Sequence, residues 1–143
     1  MLAALIGAVA AVALTVGGST TEGPLSAGDV SAAAQAFARA YGHRDGRAMS
    51  KALAADVTRV SPTVVQHGRT AVLNDYVQQF RHTPIRGYEL QGIVVTAGWV
   101  GRLAARYTVP LAGGGSLSGQ VVFGVQRSDG RAVIGLITTQ PSG

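Results

Sequence analysis

The sequence predicts an α+β fold, with three helices laid over one antiparallel sheet, and three features of the chain lead to it. Apolar residues recur at helical spacing early on, at Val30, Ala34, Phe37 and Tyr41 and again at Val72, Leu73, Tyr76, Val77 and Phe80. From Tyr88 onward the spacing is that of strands, broken by turn residues. Helices first and a meander afterwards is the order of a domain whose helices cover one face of a single sheet.

Taken in order, Asp29 is placed as the N-cap of the first helix, and Gly42 closes it in the C′ role. Asp45 caps a second helix over residues 46–55, with Met49, Ala52 and Leu53 facing inward and Asp56 ending it. Residues 57–61 and 63–66 are short extended runs around Pro62, a residue suited to a sheet edge or a bulge. Gly68 opens the third helix, and Thr83, Pro84 and Gly87 punctuate the connection from it to the strands. Four strands are expected over 88–96, 99–111, 117–127 and 131–139, the last two joined by the hairpin signal Ser128-Asp129-Gly130. In the second of these, Leu103, Ala105, Tyr107 and Val109 share one face while Arg102, Ala104, Arg106 and Thr108 share the other. Both last strands carry apolar residues on both faces, as in the middle of a sheet with helices on one side and a pocket or partner on the other.

Composition narrows the function classes. The 143 residues suit one domain, and charged residues make up 13% of them against roughly 25% in ordinary soluble domains. There is no cysteine, which removes disulfides, thiolate metal sites and cysteine nucleophiles. The net charge of +5 comes from basic residues scattered singly, without a basic run or interleaved aromatics, so no nucleic-acid partner is expected. His43, His67 and His82 have no ligand spacing, and neither a metal nor a cofactor is expected. The run Gly113-Gly114-Gly115 lies between strands, where it is a turn and not a phosphate cradle.

The first residues stand apart. Residues 2–16 contain only Leu, Ala, Ile, Val, Gly and one Thr, and residues 1–21 carry no charged side chain. At ~1.5 Å rise per residue such a helix falls just short of the ~30 Å hydrocarbon core, so residues 1–18 are a membrane anchor or a signal-like hydrophobic segment. Residues 19–28, rich in Ser, Thr and Gly, are a linker, and a folded domain over 29–143 is placed outside the cytoplasm, membrane-anchored or secreted.

An ordered set of features carries a resemblance. The aromatic pair on the first helix, Arg44-Asp45, a short helix ending at Asp56, Val57-Thr58-Arg59-Val60-Ser61-Pro62, and Gly68-Arg69 opening a helix with Tyr76 and Phe80 together resemble the SnoaL-like branch of the nuclear transport factor 2-like superfamily. A group of actinobacterial extracytoplasmic domains beyond one membrane span is similar too. The resemblance implies a cone-shaped α+β barrel, its three helices packed on a strongly curved sheet whose concave face encloses a pocket. Enzymes of that superfamily such as ketosteroid isomerases place a carboxylate base just before the proline of the first hairpin and a tyrosine on helix one. Counted from Asp45, those positions hold Ser61 and Phe37. A serine without an adjacent base accepts no proton near neutral pH, and a phenyl ring polarises no carbonyl. No catalytic residue is therefore assigned.

The pocket candidates are Phe37, Tyr41, Ser61, Tyr76, Phe80, Trp99 and Tyr107, with Arg106 as an anion anchor paired to Glu89 or Asp75. The expected function is a non-catalytic ligand-binding, sensing or dimerisation module. It would take a small apolar or weakly anionic molecule and pair with a second copy through the sheet. The alternative is an isomerase, cyclase or dehydratase whose acid and base have moved, for instance to Asp75 or Glu89 with His67.

Overall fold

The computed structural model describes residues 23–142. The hydrophobic segment over 1–18 lies outside the described residues. Folded structure begins earlier than position 29: Leu25 is buried and joins the sheet end through a backbone bridge to Gly98.

Helix α1 spans Ala27–Gly42. Its N-cap is Ser26 and not Asp29, which sits three residues further in and completes a capping box. The Ser26 hydroxyl accepts from the Asp29 N–H at 3.0 Å, and the Asp29 carboxylate accepts from the Ser26 N–H at 2.9 Å, so two amides that the helix leaves free are satisfied together. The predicted face, Val30, Ala34, Phe37 and Tyr41, is buried. Gly42 is the last helical residue, and the left-handed conformation falls on Arg44 instead, at φ 55°. Glycine at 42 answers a close approach: a Cβ there would lie 3.1 Å from the Gly87 backbone.

Asp45 caps α2, Gly46–Ala52, by accepting from the Ala48 N–H at 3.0 Å. This helix stops three residues short of the expected end, and Asp56 lies within the strand after it. Leu53–Val60 is strand β1, because Leu53 pairs with Ile134 and the sheet overrides the helical preference of Ala54 and Ala55. A turn at Ser61 to Val64 leads to β2, Val65–His67. Gly68, at φ 94°, then redirects the chain into α3, Arg69–His82, whose buried stripe is Val72, Tyr76 and Phe80.

The remaining strands are β3 (Glu89–Thr96), β4 (Gly101–Pro110), β5 (Ser116–Ser128) and β6 (Arg131–Pro141). Asp129 and Gly130, at φ 52° and 76°, form the two-residue turn between the last two. The order across the sheet is β2-β1-β6-β5-β4-β3. Among the described residues every strand pairing is antiparallel except one, since β1 and β6 run parallel. The expectation of a wholly antiparallel sheet is corrected there: the chain leaves β1, crosses to the far edge through α3, and meanders back to arrive beside β1 in the same direction.

The helices cover the concave face. One cluster of buried side chains joins the three helices with β1, β4, β5 and β6, with Phe37, Met49, Leu103, Phe123, Ile134 and Ile137 among its members, and Leu90 and Val95 of β3 pack against it partly buried. Inward residues of β4 alternate as predicted, Leu103, Ala105 and Val109 being buried while Arg102 and Arg106 are exposed. The architecture is a cone of three helices on a curved, mostly antiparallel sheet.

Candidate functional site

A cavity of about 400 Å³ opens at one end of the cone, between α1, α3 and the inner face of the sheet. Helical spacing brings Phe37 and Tyr41 to it from α1 and Tyr76 from α3, while strand alternation brings Tyr107 and Val109 from β4. The aromatic rings form a continuous wall. Phe37 and Tyr76 meet edge to face at 5.6 Å, Tyr41 and Tyr88 lie 4.8 Å apart, and Tyr88 stacks on Tyr107 at 5.6 Å with an interplanar angle of 9°. Such pairs hold flat side chains in fixed orientations, which preforms the wall.

A polar chain crosses one side of this wall. Arg59 Nη1 donates to Asp75 Oδ2 at 2.6 Å and to Gln66 Oε1 at 2.8 Å. Gln79 Nε2 donates to the same Asp75 oxygen at 3.1 Å, and the Tyr41 hydroxyl donates to Gln79 Oε1 at 2.8 Å. The Arg59 guanidinium carbon also lies 4.9 Å over the Tyr76 ring, within cation–π range. All of its hydrogen bonds run through Nη1, and Nε is buried without a partner among the described residues. Arg59 lines the cavity and its side chain is only 14% exposed.

Burial keeps the phenols protonated. It pushes the Tyr41 hydroxyl up to about 12, against the opposing pull of the Arg59 charge, and raises Tyr76, Tyr88 and Tyr107 as well. The cavity wall among the described residues holds no Asp, Glu or His. Asp75 is committed to Arg59, Glu89 is exposed on β3, and His67 sits on β2 with its Nδ1 2.9 Å from the Thr58 hydroxyl. Acid and base candidates therefore do not converge on a point. No group of three or more His, Cys, Asp or Glu among the described residues is arranged to hold a metal.

Of the predicted pocket residues, Phe37, Tyr41, Ser61, Tyr76 and Tyr107 line the cavity together. Ser61 stands at the rim, in the turn where its N–H meets the Val64 carbonyl at 2.9 Å. Three candidates do not line it. Phe80 lies behind the wall, edge-on to Tyr41 at 5.5 Å. Trp99 projects from the β3–β4 turn, 73% exposed. Arg106 lies on the outer face of the sheet, since its neighbours Ala105 and Tyr107 point inward, and it pairs with neither Glu89 nor Asp75.

The charged group at the site is Arg59, which was not among the residues expected there from the sequence. A signal was present: Arg59 is two residues after the buried Val57 on a strand, which places both on the inner face. Asp75 and Gln79, four apart on α3, share the facing side of that helix.

No protein-family model and no curated protein matches the sequence. Solved structures do match the fold. A protein of unknown function with a cystatin-like fold from Nostoc punctiforme superposes with a TM-score of 0.71 at 12% identity, covering 80% of this chain and 89% of its own. A ketosteroid isomerase-like protein from Erwinia carotovora atroseptica gives 0.66 at 20%, covering 82% and 96%. A provisionally assigned dehydratase of the NTF2-like family from Streptomyces avermitilis gives 0.67 at 18%, covering 80% and 95%. At such identities the likeness is one of fold, and the fold is that of the nuclear transport factor 2-like superfamily.

Proposed function

We propose that the chain is a non-catalytic binding or sensing module of SnoaL-like type, carried outside the cytoplasm on its apolar N-terminal segment. Its cavity takes a small, flat, largely apolar molecule whose acceptor or weakly anionic edge faces Arg59. The observation that carries this reading is the composition of the wall: an aromatic cage with one fixed cation and, among the described residues, no carboxylate or imidazole. Binding needs shape, apolar surface and a few placed donors, all present. Proton transfer needs in addition a group that titrates near the working pH. The tyrosines stay protonated far above that range, and the nearest carboxylate is held by Arg59. The solved structures named for isomerase or dehydratase chemistry share the fold, and the function proposed for this chain differs from theirs because Ser61 and Phe37 stand at the positions a base and a phenol would occupy.

The proposal includes pairing of two copies through the outer face of the sheet. Val94, Ala104 and Val122 are in register there, next to a partly exposed Leu136. Sedimentation that finds only monomer at all concentrations would remove this part.

The ligand reading is tested with 1-anilinonaphthalene-8-sulfonate, an aromatic anion built on a flat naphthalene ring, added to the full chain in calorimetry. One saturable site is expected, weakened about tenfold by Arg59→Met and blocked by Thr139→Trp, which fills the mouth of the cavity. Unsaturable binding, or binding indifferent to both substitutions, would overturn it.

A further inference from the structure

The β3–β4 turn combines two features that the binding cavity does not explain. Trp99 and Val100 are 73% and 72% exposed, among the most exposed large apolar side chains in the described residues. The chain's own N-terminal side is clamped beside them. Leu25 N–H donates to the Gly98 carbonyl at 2.8 Å and Gly98 N–H donates back at 3.1 Å, while Arg127 Nε donates to the Gly23 carbonyl at 2.9 Å. Residues 23–25 are thus held against the turn by hydrogen bonds on two sides.

Upstream, residues 2–18 consist of Leu, Ala, Ile, Val, Gly and Thr. Five residue steps separate Gly18 from Gly23, and at ~3.3–3.6 Å per residue they span at most roughly 18 Å along any path. If the apolar run enters a bilayer, the turn carrying Trp99 is tethered within reach of its surface. The interfacial zone on each side of the hydrocarbon is several Å deep and is where a tryptophan, apolar in body and polar at its N–H, is most favourable. Arg102, exposed at the start of β4, adds a cation close to the same tip, suited to anionic headgroups.

We propose that the Gly98–Gly101 turn is a membrane-docking tip, with Trp99 and Val100 seated in the headgroup interface of the bilayer that receives the N-terminal segment. The inference rests on the anchor reading above. It has a consequence for the cavity. Trp99 precedes β4 and the cavity residues Tyr107 and Val109 lie near that strand's far end, roughly 26–33 Å away at ~3.3 Å per residue. Docking by the tip turns the cavity mouth away from the lipid, so the ligand arrives from the aqueous side and not from the bilayer.

Trp99 is the chain's sole tryptophan, so its fluorescence reports the tip directly. The full chain is mixed with vesicles of phosphatidylcholine containing a minority of phosphatidylglycerol, with and without bromine-labelled acyl chains. Vesicle-bound protein is expected to show blue-shifted emission, at least twofold quenching by the brominated lipid, and protection from iodide. Co-flotation with vesicles while Trp99 remains open to iodide and untouched by brominated lipid would overturn the docking and leave the anchor standing. Protection from iodide without lipid quenching would mean that protein, such as a second copy, covers the tip, which also overturns it. Failure to co-float would overturn anchor and docking together, with the cavity reading unaffected.

Discussion

Arg59 reaches from β1 to α3 and places its Nη1 2.6 Å from Asp75 Oδ2, tying the first strand of the sheet to the third helix beside the cavity. Arg59 is 14% exposed and Asp75 40%, so the pair is half in water and half in the core. Removing one partner of a fully buried pair costs ~3–5 kcal/mol, because the other charge is left without compensation. With Asp75 partly solvated, Asp75→Ala is expected to cost about 1–3 kcal/mol in urea unfolding. Arg59→Met combined with Asp75→Leu should recover most of that loss. A double variant as unstable as the single would show that the helix contact, and not the stranded charge, is what matters.

The tyrosines set an alkaline limit. Burial raises the folded-state value of Tyr41 from the ordinary 10.0 to about 12, so the folded state favours the protonated phenol. The associated stability is whole below pH 10 and is lost as the pH rises toward 12, amounting to roughly 2–3 kcal/mol for a shift of this size. Tyr76, Tyr88 and Tyr107 are raised too and act in the same direction. Tyrosinate absorbance is therefore expected to rise late and together with loss of the fold by circular dichroism. All four phenols ionising reversibly near pH 10 in an intact fold would contradict their burial.

Gly101 opens β4 directly against α1, where a Cβ would run into the Val30 side chain, itself fully buried. Gly101→Ala is expected to cost about 1–3 kcal/mol through overpacking, read as a lowered melting temperature. An unchanged melting temperature would mean that α1 can shift away from the sheet at no cost.

Arg106 supplies the contrasting case. Exposed on the outer face and without an ion pair among the described residues, it should tolerate Arg106→Ala within about 0.5 kcal/mol, with the affinity for anilinonaphthalene sulfonate unaltered. A loss of affinity comparable with that of Arg59→Met would place the anion anchor on the wrong face of the sheet.

Local pattern was enough to identify the elements. The stripe Val30, Ala34, Phe37, Tyr41, the alternation along β4, and the Asp129-Gly130 turn each follow from a periodicity or a backbone preference of a few residues, and each is found where the sequence puts it. The same local reasoning separates Arg106 from the inner face and, applied to β1, would have put Arg59 on it. Residues 53–56 were different: Leu-Ala-Ala-Asp reads equally well as the end of a helix, and only pairing with β6 makes it strand.

The chain by itself determined which faces are apolar, and therefore that three helices must close over one sheet, since burial of a periodic stripe depends on neighbours three and four residues away. Tertiary structure alone decided that β1 lies parallel to β6, that Asp75 answers Arg59, and that Trp99 stays outside. Those facts rest on contacts between residues far apart in sequence, or on their absence, and no local period encodes which distant strand or side chain a residue will meet.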